Sequence, residues 1–91
     1  MKIERLTYIV QPDSLDKFLK AENEVWTAWL RQQKGFLSKQ MTPYPGSRVE
    51  IQIFWKSEED MQRAAKKPDI TAVEARFNAL LGNTFRLVYS G

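Results

Sequence analysis

The segment Arg48-Val49-Glu50-Ile51-Gln52-Ile53-Phe54-Trp55-Lys56-Ser57-Glu58-Glu59-Asp60 decides the fold. Val49, Ile51, Ile53 and Trp55 recur every second residue, the period of a strand with a covered face. Ser57, with Asp60 three residues on, then reads as a helix N-cap. A central strand therefore runs straight into a helix. The junction holds no nucleophile, metal-ligand set or phosphate loop.

Upstream of that segment, Met1 to Val10 carries Ile3 and Ile9 on one phase and Leu6, Tyr8 and Val10 on the other. It reads as a strand covered on both faces. Pro12 stops it, and Asp13 or Ser14 is placed to cap a helix. Leu15, Phe18, Leu19, Val25, Trp26, Trp29 and Leu30 follow the helical i, i+3, i+4, i+7 spacing, with Glu22 in the same register, so a long amphipathic helix is expected. Arg31 and Lys34 fall in its last turn, and Gly35 supplies a left-handed stop. Phe36 to Thr42 is a more polar strand with Leu37 and Met41 in phase. Pro43-Tyr44-Pro45-Gly46-Ser47 is a turn cluster, predicting a hairpin into the central strand.

Downstream, Glu58 to Lys67 forms a short helix ended by Pro68. A further helix begins at Asp69 or Thr71 and buries Ile70, Val73, Phe77, Leu80 and Leu81. Gly82-Asn83 ends it, and Phe85 to Tyr89 is the last strand. The order strand, helix, strand, strand, helix, strand predicts an α+β, ferredoxin-like β-α-β-β-α-β antiparallel sheet with its helices on one face. Alternate residues of a strand cannot share a face. Phe54, together with either Leu6, Tyr8 and Val10 or Ile3 and Ile9, must then point away from the helices. An exposed apolar sheet face calls for a partner, and the simplest is a second copy in a two-fold homodimer.

Composition narrows the chemistry. The 91 residues suit one domain spanning 1–91. The net charge is +3, with basic and acidic residues interspersed and no basic run longer than Lys66-Lys67, so a nucleic-acid partner is not expected. There is no cysteine and no histidine. Their absence rules out disulfides, thiolate chemistry, Ser-His-Asp triads, histidine-ligated haem and the usual catalytic zinc sites. No apolar run is long enough for a membrane helix and the N-terminus is not a signal peptide, so the default location is cytoplasmic.

Gly35-Phe36, the run Phe54-Trp55-Lys56-Ser57-Glu58-Glu59, and Phe77 before a final aliphatic strand together resemble the dimeric α+β barrel superfamily, which includes antibiotic-biosynthesis-monooxygenase-like domains. Within it, Val25-Trp26-Thr27, Leu30, Gly35-Phe36-Leu37, Lys39, Trp55 with Ser57, and Phe77 with Leu81-Gly82 look closest to an uncharacterised family of short cyanobacterial proteins. The resemblance implies a dimeric α+β barrel, homodimer contact through the sheet face, and a small apolar pocket between sheet and helices. It also implies a set of activities that includes cofactor-independent oxygenation, isomerisation and haem chemistry. The haem branch is disfavoured here, because no axial histidine exists and the helix after Ser57 offers Met61 and Ala64. Neither a cofactor nor a metal is expected.

Trp26, Trp29 and Trp55 are the expected lining of a cavity suited to a flat aromatic ligand. Trp29, at the stripe's edge, is the one expected to be partly open. Glu22 lies on the apolar stripe between Leu19 and Trp26, so it sits at a pocket mouth or is paired with a base. Asn23 and Phe77 complete the expected ligand-binding set. Thr27, Arg5, Thr7 and Tyr44 are further candidates to stabilise an oxyanion. Glu58 to Asp60 are explained by capping. Two functions follow: a homodimer binding a small aromatic molecule, with cofactor-independent monooxygenase or isomerase activity, or a non-enzymatic structural or stress-related dimer whose tryptophans fill the core.

Overall fold

The computed structural model describes residues 1–91. Strands β1 (Lys2–Val10), β2 (Phe36–Tyr44), β3 (Arg48–Trp55) and β4 (Phe85–Ser90) form one antiparallel sheet in the order β2-β3-β1-β4. This is the ferredoxin-like arrangement predicted by the order of elements. The first helix spans Leu15–Ala21, Glu22–Thr27 and Ala28–Leu30; the second is Glu58–Ala65 and the third Ile70–Leu81.

Val49, Ile51, Ile53 and Trp55 are all buried beneath the helices, while Glu50, Gln52 and Phe54 between them are only half-buried. The register fixes the rest of that row. Glu4, Leu6 and Tyr8 of β1 lie opposite Ile53, Ile51 and Val49, and Lys39 and Met41 of β2 lie opposite Ile53 and Ile51. Ile3, paired with Phe54, therefore looks away from the helices together with Ile9. The alternative left open by the sequence is resolved in favour of Ile3 and Ile9. That second face is mixed rather than apolar throughout, since Arg5 pairs with Gln52 and Thr7 with Glu50 across its centre.

At one end of the core Phe18, Phe77, Phe85 and Tyr8 pack as tilted and edge-on rings. Phe77 and Phe85 are 5.1 Å apart, and Phe18 is 5.7 Å from Phe77 and 5.2 Å from Tyr8. At the other end β3 hands over to the second helix. The Ser57 hydroxyl accepts from the Asp60 backbone N–H at 3.2 Å, as the N-cap spacing predicts. Gly35, at φ +84°, lets the chain turn into β2 while its carbonyl accepts from Lys56 N at 2.7 Å. A Cβ at Gly35 would collide with the Asp60 side chain, so glycine is required there by backbone angle and by space.

Several local expectations need correction. Asp13 and Ser14 do not cap the first helix; Pro12–Ser14 forms a 3-10 turn with proline at its start, and no side-chain cap bond is made. The first helix is not uniform, because Glu22–Thr27 is a π-helical turn, and it ends at Leu30, before Arg31 and Lys34. β2 continues through Pro43 to Tyr44, so the hairpin loop is Pro45 to Ser47. Pro43 is tolerated because β2 is an edge strand, where a missing N–H need not break a ladder. Leu80 is 47% exposed, so it falls outside the buried stripe of the third helix.

Candidate functional site

Between the sheet and the three helices lies a cavity of about 200 Å³. Leu6, Tyr8 and Ile53 form its floor, and Trp26, Trp29 and Trp55 stand around it. Met61 and Ala64 of the second helix and Ile70 of the third close the far side. The polar groups in this lining are Glu4, Glu22, Glu74 and the Tyr8 hydroxyl.

Two of the indoles are fixed by carboxylates outside their rings' apolar faces. Trp55 Nε1 donates to Glu4 Oε1 at 3.0 Å, and Trp29 Nε1 donates to Asp69 Oδ2 at 3.0 Å in the turn between the second and third helices. With their N–H groups satisfied, both rings can present carbon to the cavity at no hydrogen-bonding cost. Trp26 meets Trp29 edge-on, 6.0 Å between centroids and 86° between planes. The expectation that Trp29 is the open tryptophan is overturned. Trp29 is buried and Trp26 is half-buried, because the bond to Asp69 draws Trp29 under the turn.

Glu22 opens the π-helical turn and is 3% exposed. Its Oε1 accepts from the Lys39 ammonium of β2, which also donates to Thr27 Oγ1 at 3.0 Å. Both side chains of the ion pair are 4% exposed. The wide turn brings residues five apart together, and the Thr27 hydroxyl donates back to the Glu22 carbonyl at 3.4 Å. Glu22 Oε2 is buried with no hydrogen-bond partner. Burial pushes the Glu22 carboxyl above its ordinary value and Lys39 opposes the shift. Burial pushes the Lys39 ammonium down and Glu22 opposes that in turn. The Tyr8 phenol is driven far above its usual value, first by burial and then by Glu22, Glu4 and Glu74. Tyr8 is therefore a neutral donor at the cavity floor.

The sequence-derived set separates into three places. Trp26, Trp29, Trp55 and Glu22 meet at the cavity. Asn23 is turned to a separate outer groove with Thr27, Arg31, Ser38 and Lys39, since adjacent helical positions face different sides. Phe77 is 2% exposed among Phe18, Phe85 and Trp26, where it packs the core. Arg5 and Thr7 lie on the sheet face away from the helices. Tyr44 is exposed beneath the Arg48 guanidinium, 4.9 Å from its ring centroid. Sequence reasoning missed Lys39 as the partner of Glu22, and Tyr8, Glu4 and Met61 as lining. The available signal was a lysine in phase with Met41 facing a glutamate on an apolar helical stripe, two opposite charges each at a position meant for carbon.

No protein-family model and no curated protein matches the sequence. Solved structures of the same fold do match, among them proteins described as oxygenases or as antibiotic biosynthesis monooxygenases. SnoaB, a cofactor-independent oxygenase from Streptomyces nogalater, superposes with a TM-score of 0.68 at 13% identity, covering 96% of this chain and 90% of that one. The monooxygenase ActVA-Orf6 of Streptomyces coelicolor, solved in complex with Nanaomycin D, gives 0.72 at 21% identity over 94% of this chain and 81% of that one. A Deinococcus radiodurans protein named for the antibiotic biosynthesis monooxygenases gives 0.69 at 16% identity over 97% and 88%. At these identities the likeness is one of fold. No helix of the chain is long and apolar enough to cross a membrane.

Proposed function

We propose that this chain is a homodimeric, cofactor-independent oxygenase that holds a one- or two-ring aromatic substrate between Trp26, Trp29 and Trp55. The observation that carries the reading is the tryptophan-walled cavity of about 200 Å³ with few polar groups. That volume lies below the roughly 300–1,000 Å³ of most ligand sites, which favours a small flat molecule over a large polycycle. Indoles whose N–H groups are already bonded offer stacking and edge contacts to such a ring. Tyr8, kept neutral, supplies a hydrogen bond to a substrate oxygen on which charge develops. The overall conversion is balanced without a further reductant: an activated ring methylene and one dioxygen become a ketone and one water.

A fold shared with SnoaB and ActVA-Orf6 supports this reading, and the absence of histidine and cysteine is compatible with it, since oxygenation through a substrate carbanion needs neither residue. The homodimer is proposed through the sheet face that carries Ile3, Ile9, Phe54 and Tyr89. The small cavity volume favours one competing reading, a non-enzymatic dimer with a nearly filled core. Tryptophan fluorescence titrated with a panel of flat aromatic molecules separates the two. Saturable quenching by at least one compound is expected, followed by oxygen consumption with a compound carrying an activated methylene. Quenching by none of them overturns the ligand reading. Sedimentation at micromolar concentration tests the dimer, and a single species of 10.7 kDa contradicts it.

A further inference from the structure

We propose that Glu22 is the base of this cavity: its unpartnered Oε2 takes the proton of an acidic ring hydroxyl on the bound molecule, while Lys39, held by Thr27, carries the compensating positive charge. This inference rests on the ligand reading above and assigns the proton-accepting atom within it.

Three observations carry it. The first is the orphaned oxygen itself. A buried carboxylate oxygen without a donor is costly, and such atoms in native structures call for a specific explanation. The second is occupancy. Among the other carboxylates near the ligand space, Glu4 already accepts from Trp55 and Asp69 from Trp29, and Glu74 belongs to an exposed position of the third helix. Among these carboxylates only Glu22 both lines the cavity and has an oxygen, Oε2, that is buried with no hydrogen-bond partner. The third is construction. A regular helix is interrupted at Glu22–Thr27 by the π-helical turn, a feature frequent at functional sites, and the turn places the Glu22 carboxylate and the Thr27 hydroxyl on the same ammonium.

Charge bookkeeping explains why the base should be a paired glutamate. Before transfer the buried pair consists of one carboxylate, Glu22 in the cavity wall, and one ammonium, Lys39 behind it. In the transfer the ligand O–H bond breaks, its electron pair stays on the ligand oxygen, and the hydrogen bonds to Oε2. Glu22 becomes neutral, the ligand becomes the anion, and Lys39 remains its counter-charge. The summed charge of Glu22, Lys39 and the ligand is zero before and after the transfer, so the step itself adds no uncompensated charge to the site. An isolated glutamate would lack that property. The other titratable groups around the site are Glu4 and Tyr8 on β1 and Glu74 on the third helix, none of which brings a positive charge.

The test uses para-nitrophenol, whose anion is coloured, and nitrobenzene, which has the ring without the hydroxyl, on the full chain. In the unaltered protein para-nitrophenol is expected to bind about tenfold or more tighter than nitrobenzene, the scale of a hydrogen bond to a charged acceptor. The bound molecule should show the anion's absorption at a pH below its titration in water. Because the neutral phenol enters and its proton stays on Glu22, affinity should stay flat as the pH falls below that titration. In Glu22→Gln only a preformed anion can pair with Lys39, so affinity should fall about tenfold per pH unit over the same range. The apolar double variant Glu22→Leu/Lys39→Met keeps the volume and avoids a lone buried charge. It should bind both probes alike and leave para-nitrophenol colourless. If nitrobenzene binds but para-nitrophenol gains neither affinity nor colour in the unaltered protein, the base assignment is overturned and the cavity reading survives. If neither probe binds, both are overturned.

Discussion

Glu22 and Asp60 are both carboxylates with almost no surface, 3% and 7% exposed, and each is paired with a basic side chain, Glu22 with Lys39 of β2 and Asp60 with Arg63 one turn on in its own helix. They use their oxygens in opposite ways. Asp60 Oδ1 accepts from Arg63 Nη1 at 2.5 Å and Oδ2 accepts from the Ser57 hydroxyl at 3.1 Å. The Arg63 hydrogen bond, with the smaller help of Ser57, holds its carboxyl below the ordinary value against the effect of burial. Glu22 spends one oxygen on Lys39 and leaves the other bare, and burial drives it upward. A carboxylate saturated with donors belongs to the architecture of its helix cap. One that is half-paired beside a cavity has the arrangement that the proposed proton acceptor requires.

Removing one member of the buried Glu22–Lys39 pair should have the largest effect. Lys39→Met leaves Glu22 buried without a counter-charge, and urea denaturation near neutral pH should show a loss of about 3–5 kcal/mol. Without Lys39 the folded-state value of Glu22 rises further above its unfolded value, so the loss should shrink as the pH is lowered toward about 4.3, where the unfolded chain also takes up the proton. The double variant Glu22→Leu/Lys39→Met should fall within about 1 kcal/mol of the parent or exceed it, because no charge is then stranded. A large loss in the double variant would mean that the pair itself, rather than its imbalance, sustains the fold.

Gly35→Ala comes next. It places a Cβ into the Asp60 side chain at a backbone angle that favours glycine, and the same denaturation experiment should register about 3 kcal/mol. Ser57→Ala removes the acceptor for the Asp60 N–H together with the hydroxyl that donates to Asp60 Oδ2, and should cost about 1 kcal/mol. The smallest effect is on acid stability. Asp60 has a folded value below its unfolded one, so its contribution is complete above about pH 3.9 and is lost as the pH falls from there through the depressed value. Asp60→Asn should therefore flatten the stability profile at the acid end, whereas Glu22→Gln should not.

Much of this architecture is legible in the sequence, and the parts that are share a cause. The β3 row of Val49, Ile51, Ile53 and Trp55 and the Ser57 cap depend on periods and spacings within one segment. So do the helical stripe with its tryptophans and the glycine stop at Gly35. The illegible parts depend on how segments meet. A bulge between Phe36 and Ser38 shifts the phase of β2, leaving Leu37 54% exposed and Lys39 turned inward against Glu22. The π-helical turn at Glu22–Thr27 leaves no trace in hydrophobic period, since Glu22, Val25 and Trp26 satisfy an ordinary helix equally well. Trp29 is covered because Asp69, forty positions away in the chain, accepts its N–H. Phe77 and Asn23 fall near the tryptophans in the helical pattern, but their neighbours are fixed by packing between helices and by β2.

Glu22 is proposed to bring an unpartnered, proton-accepting oxygen to the wall of a ligand cavity, whereas both Asp60 oxygens are already bonded. Carbon-13 NMR titration of the side-chain carboxyls, with and without para-nitrophenol, reads both groups in one sample. A Glu22 midpoint above the ordinary carboxylate range and an Asp60 midpoint below it are expected, with the ligand moving the Glu22 resonance and leaving Asp60 in place. Two midpoints in the ordinary range, or a saturating ligand that leaves Glu22 unmoved, would contradict it.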